Sequence, residues 1–421
     1  MSEKGKTVLI LGNGFDLAHG LPTRYSDFLE FCQRVNTIWT YNPESNNGQT
    51  KKDYAEKWIK NWETDSTIKK DILDAFAGRK PKSNNEGLIE ITSENVGLSE
   101  IHDCLHDNVW YDYFLKLRKM KAIQGENWID FESEIRFIIK SIDENTLLLT
   151  DYWEDIIKKA KESPENLKLK TFEKKLKLAE YVKRKTESEN HIPTIRDFRE
   201  KAFADLERLT RAFELYLLTF VEKVPIDKRI LELLDITPDY VITFNYTHTY
   251  EKIYNKGTVY HIHGETAESR SGEENNMVLG IDEYWKDDKT DEKTYFTIFK
   301  KFAQRIQKHT GNNGYSYFRE IEKVFKENGG VWSGAFIDKY KVHADGVSRV
   351  YVFGHSLDIT DKDILSGYIG SNATAVTIYC KDRGTEGELI ANTIKLIGEK
   401  QLLEKSNYSP SKLEYIIQKN L

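Results

Sequence analysis

Thr7-Val8-Leu9-Ile10-Leu11-Gly12-Asn13-Gly14-Phe15-Asp16-Leu17-Ala18-His19-Gly20-Leu21-Pro22-Thr23 is the stretch that decides the fold. Val8 to Leu11 is a short unbroken apolar run, as in a parallel strand buried on both faces. Gly12 and Gly14 follow at once. Glycine lets a backbone turn sharply and approach a ligand that a Cβ would block. A Gly-rich turn from strand to helix is the usual phosphate cradle of nucleotide-binding α/β sheets, because bare N–H groups and a helix dipole favour an anion. The dinucleotide fingerprint expects a third Gly where this chain has Leu17, and the next glycine is Gly20. A tight turn without a ligand is the plainer reading of the same residues.

Working outward, further strands are expected at 239–246, 259–263, 349–353 and 375–380, with Met277 to Asp282 as another candidate. Between the first strand and these lies a long stretch of different character. Glu126 to Lys256 contains no glycine, which favours helix. Phe131, Ile135, Ile138, Ile139 and Ile142 repeat at helical spacing, as do Phe198, Ala202, Leu206, Leu209, Phe213, Leu217 and Phe220. Thr194 to Asp197 resembles a capping box opening that second helix. Lys158 to Lys185 mixes acids and bases and reads as a solvated helical hairpin. Asn42 to Lys52 and Arg79 to Glu86 read as loops. The expected organisation is an α/β domain of Rossmann-type parallel sheet, residues 1–35 plus 236–421, interrupted by a helical insertion at 36–235.

Composition narrows the function. The chain has 421 residues, 39% hydrophobic and 12% aromatic, enough for sizeable cores. Charged residues reach 31% but nearly cancel, leaving a net charge of −6. Bulk nucleic-acid or anionic-membrane binding is therefore not expected. The N-terminus leads straight into the first strand, and no apolar run approaches a membrane span. Cys32, Cys104 and Cys380 are too few and too scattered for a zinc module or a disulfide framework, so a cytoplasmic protein is expected.

Polar residues cluster after each apolar run, and in an open parallel sheet those carboxyl ends form one crevice. Four stretches converge there: Gly12 to Asp16; Thr243-Phe244-Asn245; His261-Ile262-His263-Gly264; and Gly354-His355-Ser356-Leu357-Asp358. On these residues the chain resembles the bacteriophage abortive-infection AbiH family, through Asn13-Gly14-Phe15-Asp16, Phe244-Asn245-Tyr246-Thr247 and His261-Ile262-His263-Gly264. Beneath that it is similar to the sirtuin-type NAD-binding core. Gly12-Asn13-Gly14 with Gly20-Leu21-Pro22, Thr243-Phe244-Asn245, His263-Gly264 and Gly354-His355-Ser356-Leu357 match four sirtuin motifs in order. The AbiH likeness spans nearly the whole chain, the sirtuin likeness only the sheet motifs.

The resemblance implies an anti-phage protein that hydrolyses the nicotinamide–ribose bond of NAD or a related nucleotide. It departs from sirtuins in three ways. The arginine of the first motif is displaced to Arg24, Thr247 replaces an aspartate, and the four-cysteine zinc module is absent. A deacylase is disfavoured and no metal is expected. Nicotinamide is a good leaving group, so cleavage through an oxocarbenium-like state needs little acid catalysis. Asn245 would hold a ribose hydroxyl or water, His263 would act as base, and Asp16 would stabilise positive charge on the sugar. Gly12, Asn13 and Gly14 would take the pyrophosphate, Ser356 and Asp358 a ribose. Phe15, Thr243, His261, Gly354 and His355 would complete the nucleotide site.

Plainer readings stand beside these. His261 and His263, two apart on a strand and so on one face, are also ordinary polar residues at a sheet end. Asn245 suits a turn, and Asp16 and Asp358 suit helix caps. His102 and His106 have a zinc-compatible spacing, although a solvated helix face is the default. Trp128, Asp130 and Glu132 open a helix, where capping and packing are favoured over a role at the crevice. Two other functions stay open. One is nucleotide binding without turnover, signalled through the insertion to a defence partner or a second copy. The other is a metal-dependent nuclease or phosphohydrolase using Asp16, His261 and His263.

Overall fold

The apolar run at the start of the chain forms β1, Lys6–Leu11. β2 (Tyr240–Thr243), β3 (Thr258–His261), β4 (Val347–Phe353), β5 (Ala375–Cys380) and β6 (Leu413–Ile417) complete a six-stranded sheet in the order β3-β2-β1-β4-β5-β6. All pairings are parallel. The computed structural model describes residues 5–43, 49–76, 96–123, 129–145, 195–267, 275–281, 295–310, 347–372 and 374–418. The loop expected at 79–86, the hairpin expected at 158–185, Thr194 and Trp128 lie outside them.

The strand order is that of doubly wound dinucleotide-binding sheets, which reverse direction between β1 and β4. Alternation along β1 explains its unbroken apolar run. Val8 and Ile10 pack with Val350, Val352, Ile378, Leu365 and Leu389 on one face. Leu9 and Leu11 pack with Phe15, Val241, Tyr250, Tyr254 and Phe353 on the other. Both faces are covered from Val8 to Leu11, so no position on that part of the strand is left for a polar residue.

Two features differ from the sequence reading. β6 follows helices at Arg383–Ile397 and Glu399–Ser406 and pairs with β5, a strand beyond those the sequence reading places. Met277 to Ile281 is buried but is not a strand, and Asp282 lies outside the described residues. Its hydrogen bonds leave the sheet: Val278 N–H donates to the His263 carbonyl and Ile281 N–H to the Phe299 carbonyl. Ile281 makes only an isolated bridge, to Lys300.

The chain divides into two compact units, one of residues 1–23, 224–278 and 305–421, the other of residues 24–223 and 279–304. The first holds the sheet. The second is helical among its described residues, with long helices at Tyr25–Trp39, Val109–Ile123, Phe131–Asn145 and Ile195–Thr219. Its core is aromatic: Phe131 stacks on Tyr25 at 4.3 Å and on Phe114 at 3.9 Å. Among the described residues no helix is long and apolar enough to cross a membrane.

Candidate active site

Strand register lines up the carboxyl ends. Leu11 pairs with Thr243 on one side and Phe353 on the other, and Thr243 pairs with His261. The residues just past that row are Gly12, Phe244, Ile262 and Gly354, so the four stretches singled out by sequence meet at one edge of the first unit.

The glycines meet each other first. A Cβ on Gly12 would lie 2.5 Å from His355 Cα, and one on Gly14 would lie 2.7 Å from Gly354 Cα. Gly354, at φ +68°, would drive a Cβ to 2.2 Å from Phe15 N. Gly12 N–H donates to the Phe353 carbonyl at 3.1 Å and Gly14 N–H to the Gly354 carbonyl at 2.8 Å. Both amides are thus occupied, and the glycines serve the interlocking of two turns. Asn13 ties the same turn to Thr23, whose Oγ1 donates to Asn13 Oδ1 at 2.5 Å. The Phe15 ring lies in the apolar core against His19 and Phe353.

Thr243 and Asn245 form the next corner. Asn245 N–H donates to Thr243 Oγ1 at 3.1 Å, and the Asn245 carbonyl accepts from His261 Nδ1 at 2.9 Å. The Asn245 carboxamide makes no hydrogen bond among the described residues, though the residue is only 7% exposed. Asp16 is buried in the short helix Asn13–Ala18, where Gly12 holds the N-cap position. Its Oδ2 accepts from Thr247 Oγ1 at 2.6 Å, and Thr247 Oγ1 is 3.0 Å from Thr249 Oγ1. Asp16 therefore anchors the loop after β2.

His261 and His263 part company. β3 ends at His261, so the two-residue strand repeat does not extend to His263, which falls in the following turn. His261 Nε2 meets Glu251 Oε1 at 2.8 Å. His263 Nε2 lies 3.1 Å from Asp361 Oδ1, off the line of an aligned hydrogen bond. The second oxygen of Asp361 lies 3.6 Å from His355 Nε2. His355 Nδ1 accepts from Leu357 N–H at 2.9 Å, so the neutral ring carries its proton on Nε2, toward Asp361. Phe244 sets its ring edge-on to both imidazoles, at 5.2 and 4.3 Å. A carboxylate buried between two buried histidines is an arrangement able to take up and hold a proton. Leu357 closes this turn at φ +56°, a conformation that costs a non-glycine residue energy and recurs where a site must be held in shape.

Asp361 was missed by sequence reasoning. Its only signal is a second acid three residues after Asp358. Asp358 itself caps the short turn Ile359–Asp361, accepting from Thr360 N–H at 2.9 Å. Ser356 is exposed, and its carbonyl accepts from Asn392 Nδ2. Asp130 caps its helix through the Glu132 and Ser133 amides, and Glu132 pairs with Lys301 at 2.7 Å. His102 stacks on Trp39 and bonds Asn36, while His106 is exposed, as on a solvated helix face. Asp16, His261 and His263 face three different partners, and no metal-ligand group among the described residues unites them.

His19 lies at the end of the first turn. Its Nδ1–H donates to the Phe15 carbonyl at 2.8 Å, and Nε2 accepts from Tyr254 Oη at 3.2 Å, where Tyr254 in turn accepts from Ile230 N–H. Burial holds its pKa below the ordinary 6.5.

A family model described as Bacteriophage abortive infection AbiH matches residues 8–379. No curated protein and no solved structure matches the chain.

Proposed function

The chain belongs to the bacteriophage abortive infection AbiH family, whose description points to anti-phage defence, and on that premise we propose that it acts by hydrolysing NAD or a related nucleotide at the carboxyl edge of its sheet. The sirtuin-type part of the likeness rests on the four motifs. The observation that carries the proposal is the buried Asn245 carboxamide, which has no partner among the described residues, in a sequence corner shared with the His263–Asp361–His355 group. Neither polar atom of that carboxamide is a sealed orphan, so a ligand hydroxyl or water can reach it.

The chemistry is a substitution at the ribose C1′. The C1′–N bond breaks and its electron pair leaves with nicotinamide. Water adds to C1′ and gives up a proton, yielding ADP-ribose. Asn245 orients the water or a ribose hydroxyl. His263 takes the proton, and Asp361 steadies the resulting imidazolium. Asp16 is a positioning residue that holds the Thr247 loop. The pyrophosphate needs donors other than the Gly12 and Gly14 amides.

The test is nicotinamide release from NAD by the purified full-length protein. Release lost in His263→Ala and Asn245→Ala, both folded by thermal unfolding, is the expected outcome. Release unchanged in both variants refutes the assignment.

A second reading, binding without turnover, is favoured by two contacts. Arg24, displaced from its sirtuin position, has its guanidinium 3.8 Å from Asp27, and the hydroxyl of Thr247 is engaged by Asp16. Calorimetry showing NAD binding without nicotinamide release would support it.

A further inference from the structure

β3 is an edge strand, and a second group of side chains meets at its carboxyl end. His261 closes the strand. His248 precedes the short helix Thr249–Ile253, which carries Glu251, and Glu265 follows the turn at Gly264. One donor atom each from His248, His261 and Glu265 lie within 4.8 Å of one another. His248 Nε2 is 3.2 Å from Glu265 Oε2, and His261 Nε2 is 3.7 Å from the same oxygen and 2.8 Å from Glu251 Oε1.

The tautomers turn this proximity into an argument. His261 Nδ1 sits 2.9 Å from the Asn245 carbonyl, which can only accept, so Nδ1 carries the hydrogen. Nε2 then faces two carboxylate oxygens, and a positive charge, a ring proton or a bound ion, suits the space between. His248 is arranged alike, with Nδ1 3.4 Å from Thr266 Oγ1 and Nε2 toward Glu265. Imidazoles held through Nδ1 by an oxygen, with Nε2 turned to a shared point, follow the usual support of metal-bound histidine. Donors about 2.0–2.2 Å from a tetrahedral ion are separated by about 3.3–3.6 Å, close to the spacings seen between the histidines and Glu265.

We propose that His248, His261 and Glu265 form a binding site for a divalent transition-metal ion. Imidazole with carboxylate suits zinc and its neighbours better than magnesium or calcium. Three protein donors leave the fourth position of a tetrahedral shell to water or another ligand. Through His261 the ion would brace the Asn245 carbonyl. The site is independent of whether nucleotide is turned over.

The experiment is Zn²⁺ titration of chelator-stripped full-length protein against a chromophoric competitor, with thermal unfolding of each sample and the Co²⁺ absorption spectrum as a second readout. One equivalent is expected to bind and to raise the unfolding midpoint, since the ion binds only the folded chain. His248→Ala and the nearly isosteric Glu265→Gln are each expected to weaken binding at least about tenfold while the stripped variants unfold like stripped wild type. His106→Ala, exposed and in the other unit, is expected to leave binding intact. Absence of saturable binding to wild type overturns the proposal. So does binding that survives His248→Ala and Glu265→Gln together, or that is lost in His106→Ala.

Discussion

Asp361 lies 3.1 Å from His263 Nε2 and 3.6 Å from His355 Nε2, and in the proposed chemistry this contact handles the proton. On the proposed chemistry, Asp361→Asn removes the charge that steadies a protonated His263. Nicotinamide release should then fall by about 10²–10⁴-fold with NAD affinity little changed, as loss of proton-transfer assistance predicts. An Asn variant with full activity would reduce Asp361 to packing. His19 gives a prediction about pH. Its folded pKa is depressed by burial, whereas the unfolded side chain titrates near 6.5. Between those two values the unfolded chain binds more protons, so His19 contributes stability that is complete above pH 6.5 and is lost as pH falls below it. Urea midpoints of wild type should decline more steeply from pH 7 to pH 5 than those of His19→Asn. Parallel declines would show that His19 is not the group responsible. At this scale the sequence revealed residue types better than directions. His261 and His263 looked like one face because they lie two apart in an expected strand at 259–263, but the strand stops at His261 and the turn sends His263 to Asp361.

Turns and strands carry the next scale. The interlocked glycines predict that Gly12→Ala and Gly354→Ala are harmful for steric reasons that precede any ligand. Gly354→Ala combines a 2.2 Å clash with backbone at φ +68°, and should cost at least about 2 kcal/mol in chemical denaturation. Gly20→Ala meets no neighbour within 4 Å and loses only the ease of its φ +83°, so it should cost less. Equal costs would refute the packing role. At the far end of the sheet, Lys405 is fully buried and donates to the carbonyls of Ile369, Ser371 and Thr374 at 2.8, 2.6 and 3.1 Å. Burial, aided by Lys412, pushes its pKa from 10.5 down to about 8. The unfolded chain keeps that proton up to about 10.5, so wild-type stability should gain from pH 8 to pH 10 relative to Lys405→Met. A variant that tracks wild type across that range would contradict the shift.

Which elements were legible follows from their burial. Val8 to Leu11 and Val350 to Phe353 are central, apolar on both faces, and unmistakable as strands. β6, Leu413–Ile417, sits at the edge with alternating exposure, and Glu414 and Tyr415 break its apolar pattern. Met277 to Ile281 misled in the opposite sense. Its side chains are as buried as a strand's, but its amides bond to His263 and Phe299, and no hydrophobic pattern records where an amide points.

For the whole molecule, the strand order β3-β2-β1-β4-β5-β6 places the change of direction between β1 and β4, where Gly12 and Gly354 interlock. The parallel α/β class was readable from the sequence because each apolar run ends in Gly or polar residues. The meeting of the four stretches at one edge followed from the same fact. The partners that define the site, Asp361 beside His263 and Glu251 beside His261, are brought in by turns with no sequence pattern of their own. Membership of the AbiH family ties this sheet to phage defence, and the proposed chemistry ties defence to His263. The most direct test is to follow NAD and nicotinamide in phage-infected cells expressing the wild-type chain or His263→Ala at equal levels. The account predicts that wild type protects the culture while NAD falls and nicotinamide rises, and that His263→Ala does neither. Protection by His263→Ala, or protection by wild type with NAD unchanged, would contradict it.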